Sequence, residues 1–208
     1  MNTIIFDKLD SYTDLGLYLN SKTIGSPALK TELVEVPGSD TVLDYSEFSG
    51  EVRYKTRTLT FTFSAIHPSA TDDYQIKNVL HGKKCKIFLS EDPDYYFYGR
   101  LEVGDWKITK GIAQITITAT CEPWRYAADE IVVSSGSGTV ALSNARKTVA
   151  PKVTVTSGSV TLTWAGNSAT LSTGTNMTVD NLLLYTGTTN IEITGDGTVT
   201  FTYREAVI

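Results

Sequence analysis

The chain has 208 residues, with 18 Lys and Arg against 23 Asp and Glu and a net charge of −5. That balance argues against a protein that grips nucleic acid through a basic face, and 41% hydrophobic with 20% charged residues excludes a disordered tail. The longest wholly apolar runs, such as Leu182–Tyr185, are far shorter than the roughly 20 residues of a membrane-spanning helix, and the opening MNTIIFDKLD lacks the basic and apolar regions of a secretory signal.

In chain order, Val52 and Tyr54 alternate on even positions, whereas Leu59, Phe61 and Phe63 alternate on odd ones. A one-residue slip swaps the faces of a strand, so this phase change predicts a bulge or strong bend near Arg57–Thr58. A helix of about 10 residues follows: Ser69 or Thr71 as N-cap, Asp72 and Asp73 in the first turn, an apolar stripe of Ile76, Val79 and Leu80, Lys77, and a stop at Gly82. Tyr95, Tyr96, Phe97 and Tyr98 form an aromatic run, and strand alternation predicts that two of the rings are exposed. Trp106 and Ile108 lead into a hairpin turn at Lys110–Gly111 and a strand with Ile115, Ile117, Ala119 and Cys121 on one face and Thr116, Thr118 and Thr120 on the other. Cys85 and Cys121, 36 positions apart and without a CxxC spacing, read as buried core thiols.

Composition then changes. Residues 126–208 hold only 10 of the 41 charged residues but 17 Thr, 8 Ser and 8 Gly. This shift marks a domain boundary just after Cys121–Tyr126, at Pro123, where the strand pattern ends; it divides residues 1–128 from 129–208. The second part reads as eight short strands: Ile131–Val133, Thr139–Leu142, Lys152–Thr156, Ser159–Trp164, Ser168–Leu171, Asn181–Tyr185, Asn190–Thr194 and Thr198–Tyr203, the last two joined by a hairpin turn at Gly195–Gly197. Such spacing suggests a two-sheet sandwich or jelly roll, with Trp164 as its core tryptophan.

No constellation for catalysis stands out. His67 and His81 are the only histidines and read as surface or helix-end residues. Ser135–Gly138 lacks the lysine of a phosphate loop, and Glu91, Asp92 and Asp94 lack the spacing of a calcium loop. The expectation is no enzyme, no cofactor and no metal site.

Four stretches in order resemble the distal tail proteins (Dit family) of siphophages and related prophages. They are Gly16–Leu19 through Pro37–Asp40 to Leu43–Glu47; VRYKTRTLTFTF at Val52–Phe63 followed by the helix at 72–81; CEPWRY at Cys121–Tyr126; and GTTNIEITGDGTVTFTYRE at Gly187–Glu205, which is similar to the family's final hairpin. The resemblance implies an all-β, two-domain chain: a tail-tube-like β-sandwich or barrel with two sheets and one helix, and a galectin-like β-sandwich of jelly-roll type. It implies a hexameric ring at the tip of a non-contractile tail, assembled in the host cytoplasm. The implied partners are the tail-tube protein on one side, and the tail-tip hub or tail-associated lysin and a receptor-binding protein on the other. DNA would pass through the centre without specific binding, and no membrane is involved. A ring must bury apolar surface between subunits, so the segment Leu33–Glu47, with Leu33, Val34, Val36, Val42, Leu43 and Tyr45, is a candidate interface arm; a simple surface hairpin is the other reading. A major tail-tube protein and a carbohydrate-binding adhesin are the alternatives.

Overall fold

The computed structural model describes residues 2–48, 50–66 and 70–208. It is almost entirely β and divides into two compact units, residues 1–125 with Ile208, and residues 126–207.

In the first unit, β1 (Ile4–Phe6), β2 (Leu9–Asp10), β3 (Tyr18–Ile24), β4 (Leu33–Glu35), β5 (Val42–Asp44), β6 (Arg57–Ile66), α1 (Ala70–Leu80), β7 (Lys84–Leu89), β8 (Asp92–Val103), β9 (Lys107–Thr109) and β10 (Ile112–Ala127) follow one another. Seven of the strands form one antiparallel sheet in the order β2-β1-β7-β8-β10-β6-β3, with β9 also paired to β10. Alternation dictates its faces. Leu59, Phe61 and Phe63 of β6 and Ile115, Ile117, Ala119 and Cys121 of β10 are buried in one core, while Thr58, Thr60 and Thr62 pair with Thr120, Thr118 and Thr116 on the outer face.

The sheet curls into a barrel. β1 and β6 are four places apart in the strand order, about 19 Å along a flat sheet, yet the rings of Phe6 and Phe61 lie 6.3 Å apart, edge to face. The chain closes the seam between the edge strands β2 and β3: the Leu17 amide donates to the Ser11 carbonyl at 2.7 Å and Ser11 Oγ accepts from the Ile4 amide at 3.1 Å. Thus one continuous curled sheet, plus a separate two-stranded hairpin, takes the place of the two sheets expected.

The helix lies where the apolar stripe predicts it, with Ile76 and Leu80 buried in the same core and Gly82 in the left-handed region at φ 76°. Val79 is exposed instead; the buried stripe is one residue narrower because an 11-residue helix presents a single edge to the sheet. Thr71 falls inside the helix, and the other cap candidate, Ser69, lies outside the described residues with His67.

The phase change before β6 marks the start of that strand rather than a bulge within it. Tyr54 belongs to a separate bridge with Leu29, and the nearest register shift lies on β3 between Leu19 and Ser21. Pro123 does not end β10, which runs on to Ala127; the ladder to β6 stops at Cys121–Arg57, so the missing proline N–H breaks no bond on that side. Lys110 and Gly111, at φ 52° and 79°, form the expected two-residue turn between β9 and β10.

The second unit contains β11 (Ile131–Ser135), β12 (Gly138–Asn144), β13 (Lys152–Ser157), β14 (Ser159–Trp164), β15 (Asn167–Ser172), β16 (Asn176–Thr178), β17 (Gly187–Gly195), β18 (Thr198–Tyr203) and the short β19 (Ala206–Val207). Two four-stranded sheets, β11-β18-β13-β16 and β12-β17-β14-β15, enclose a core of Leu142, Val153, Val155, Leu162, Ile191, Val199 and Phe201 among others. Successive strands cross between the sheets, except β14 and β15, which are paired as a hairpin in one of them, an arrangement of jelly-roll type.

Two expectations fail here. β17 and β18 belong to different sheets, so Gly195–Gly197 is an arch across the sandwich, not a hairpin. The reason is close packing: a Cβ on Gly197 would meet Val160 Cγ1 at 2.8 Å, and Asp196 Oδ1 accepts from the Ser159 amide at 2.9 Å, locking this arch against the parallel crossing at Gly158. Asn181–Tyr185 is not a strand either. Asn181 is left-handed at φ 62°, and only Leu184 makes a bridge, to Val149. Its alternation is real, with Leu182 and Leu184 buried, but the backbone has no continuous partner.

Candidate assembly interface

β4 and β5 form an antiparallel hairpin that no other strand joins among the described residues. Val34 faces Leu43 across the pair, Leu33 faces Asp44 and Glu35 faces Val42. Leu33 is 60% exposed, Val34, Val42, Leu43 and Tyr45 are all exposed, and Val36 is half-buried. The structure therefore brings the six residues predicted for the arm into one ribbon and leaves apolar side chains uncovered on both of its faces. Two members of the same patch were not singled out by sequence: Leu29, at the root of the ribbon, and Phe48, 87% exposed with its ring 6.3 Å from that of Tyr45. The spacing Tyr45–Phe48, beside an apolar run, is the signal that could have found Phe48.

The ribbon is anchored at its base. The Lys30 amide donates to the Arg53 carbonyl and the Lys55 amide to the Ala28 carbonyl, at 2.9 and 2.7 Å. Arg57, only 6% exposed, donates from Nε to the Gly25 carbonyl at 2.8 Å and from Nη1 to the Pro123 carbonyl at 3.2 Å, with its guanidinium over the Phe97 ring. Burial lowers its pKa, with the neighbouring Arg125 adding to the effect. This buried cation ties the start of the arm to the end of β10. Asp44 and Glu32 fix the end of the ribbon opposite its turn: the Ser46 amide donates to Asp44 Oδ1 at 2.8 Å, and the Glu32 amide donates to Ser46 Oγ at 2.9 Å. These bonds to Ser46 hold the Asp44 carboxyl below the ordinary carboxylate value.

A second surface lies along β7 and β8. Phe97 is in the core, so Tyr96 and Tyr98 point outward, yet neither ring is exposed: Lys86 Nζ lies 4.6 Å from the Tyr96 ring centre and Lys84 Nζ 4.4 Å from that of Tyr98. Tyr95 is covered by Arg125, 5.2 Å away. The exposed pair expected from alternation is thus a pair of rings capped by cations. Beside them, Phe6, Asp7, Lys8, Leu9, Lys83, Lys86 and Phe88 line a groove of about 570 Å³.

Three of the remaining polar candidates, His81, Asp92 and Glu91, have structural partners. His81 Nδ1 accepts from the Val103 amide at 3.1 Å. Asp92 pairs with Arg125 at 2.7 Å, and Glu91 with Lys22. Cys85 and Cys121 are free and buried. Among the described residues, no group of three His, Cys, Asp or Glu side chains is placed to hold a metal ion, and no helix is long and apolar enough to cross a membrane. In the second unit, Trp164, Asn167, Asn181, Tyr185, Thr189 and Asn190 border a cleft of about 670 Å³, with Trp164 Nε1 donating to the Asn181 carbonyl at 3.1 Å.

A curled sheet with one helix followed by a jelly roll defines an all-β, two-domain fold. The chain shares it from end to end with the crystal structure of the SPP1 Dit (gp 19.1) protein, described as a paradigm of the hub adsorption apparatus in Gram-positive-infecting phages. The TM-score is 0.73 over 98% of this chain and 99% of that one, at 15% sequence identity. The resemblance read from the four stretches is thus borne out in the fold. No protein-family model and no curated protein matches the chain.

Proposed function

We propose that this chain is a structural protein of a phage virion, forming a ring, hexameric by analogy with the distal tail proteins it resembles, at the distal end of a long non-contractile tail. The observation that supports this reading is the end-to-end structural likeness, over 98% of this chain and 99% of the other, to the Dit protein of a phage hub adsorption apparatus. In this reading residues 1–128 form the ring and residues 129–208 a galectin-like outer domain. The hairpin carrying Leu33, Val34, Val36, Val42, Leu43 and Tyr45 is the subunit-interface arm, because exposed apolar side chains on both faces of a lone two-stranded ribbon need a cover. The tail-tube protein adjoins one side of the ring, and the hub or tail-associated lysin and the receptor-binding apparatus the other. Six copies at −5 each give a ring near −30 (6 × −5), which repels the phosphates of DNA passing through its centre and lets it slide.

Electron microscopy with a gold-labelled antibody against the chain, on particles from the strain that carries it, tests the proposal. Label at the tail end away from the head is expected. Label along the whole tail would favour the tube protein, and unlabelled particles would contradict both.

The cleft beside Trp164 favours a second reading, a carbohydrate-binding adhesin. Its lining has no carboxylate or cation, three amides and the exposed ring of Tyr185, a chemistry suited to a neutral sugar. Saturable binding of neutral cell-wall saccharides, lost in Tyr185→Ala, would support it; no binding at millimolar sugar would remove it.

A further inference from the structure

We propose that the β4–β5 hairpin of one copy seats in the lysine-rimmed groove beside β1 and β7 of a second copy, a head-to-tail contact between two different patches of the same chain. This rests on the ring reading above and names its contact surfaces.

The two patches complement each other in charge. Residues 31–48 hold five carboxylates (Glu32, Glu35, Asp40, Asp44 and Glu47) and no lysine or arginine. The groove is rimmed by Lys8, Lys83 and Lys86 against one carboxylate, Asp7, which pairs with Lys83 at 3.1 Å. They also match in polarity. The apolar side chains that line the groove are the half-buried Leu9 and Phe88, and the ribbon presents Val34 with Leu43 on one face and Leu33 with Val42 on the other.

Charge also decides between symmetries. Copies with a net charge of −5 repel on average, so they must meet where opposite signs are gathered. Hairpin against hairpin would bring ten carboxylates together (2 × 5) with no cation. Hairpin against groove pairs acid with base. A contact between unlike patches repeats around an axis and closes into a ring when its rotation allows.

The test uses the full chain with single cysteines added at exposed positions: Val34→Cys on the ribbon, Lys83→Cys on the groove rim, and Thr170→Cys on β15 as a control. Cys85 and Cys121, being buried, do not compete. Under mild oxidation, a mixture of the V34C and K83C chains is expected to give at least about tenfold more cross-chain disulfide than V34C with T170C, because bound partners raise the local thiol concentration. V34C alone is expected to give little. Equal yields in all mixtures, or preferred V34C–V34C pairing, would overturn the contact.

A charge exchange supplies an independent reading. K83E/K86E is expected to weaken self-association at least about tenfold, and adding E35K/D44K in the same chain to restore it. If K83E/K86E still assembles like the unaltered chain, the groove is wrong while the ring stands. If the V34C and K83C chains do not cross-link and the unaltered chain does not associate, both fall.

Discussion

Gly99 occupies a position that no other residue fits. It lies opposite Cys85 in the β7–β8 ladder, and a Cβ there would stand 2.6 Å from the Thr120 carbonyl oxygen and 2.7 Å from Cys121 Cα, and would overlap Cys121 Sγ. Backbone cannot yield to this, so Gly99→Ala is expected to cost about 3 kcal/mol in denaturant unfolding. An unchanged midpoint would contradict the packing of these three strands. The flanking thiols carry a pH signature: burial pushes Cys85 up to about 11 and Cys121 up to about 12, from 9.0. The folded chain then keeps protons that the unfolded chain releases. Their contribution is complete below pH 9.0 and is lost as pH rises toward about 12. The stability-versus-pH curve of the unaltered chain is expected to fall more steeply over that range than that of C85A/C121A. Parallel curves would show that the thiols titrate as they do in water.

At the scale of elements, the hairpin separates folding from assembly. Its apolar side chains contribute little to the fold of a single copy, because they are exposed there. L33S/L43S is therefore expected to change unfolding stability by no more than about 0.5 kcal/mol while abolishing self-association in light scattering. A large loss of stability would place the hairpin in the fold of the single chain instead. Arg57 should behave in the opposite way. Arg57→Met strands two carbonyls, Gly25 and Pro123, and is expected to cost about 2–3 kcal/mol; no loss would mean water replaces the guanidinium.

Strands were legible where apolar and hydroxyl residues alternate, as in β6, β10, β14 and β18. Sheet membership was not. A Gly-Asp-Gly turn can close a hairpin or cross between sheets, and only the packing of Gly197 on Val160 and of Asp196 on Ser159 decides. The short β16 was overlooked because Asn176–Thr178 has too few apolar residues to show a period. The arm was visible as valines and leucines alternating with turn residues on either side of Pro37–Gly38, and their exposure only in the structure. The groove was not, because it is assembled from Phe6–Leu9 and from Lys83, Lys86 and Phe88, segments more than 70 positions apart in the chain.

For the whole molecule, the barrel-like unit buries its own core but leaves its ribbon uncovered, which is what the proposed ring would cover. The jelly roll buries its own core, and its outer strand positions are largely threonine and serine, as expected of a domain facing solvent. Fold alone does not assign function, whereas assembly into a ring would. The most direct measurement is the mass of the purified chain in solution by light scattering after size exclusion, from micromolar to near-millimolar concentration. A species of six times 22.7 kDa is expected. A chain that remains a monomer, or stops at a dimer or trimer, across that range would contradict the ring.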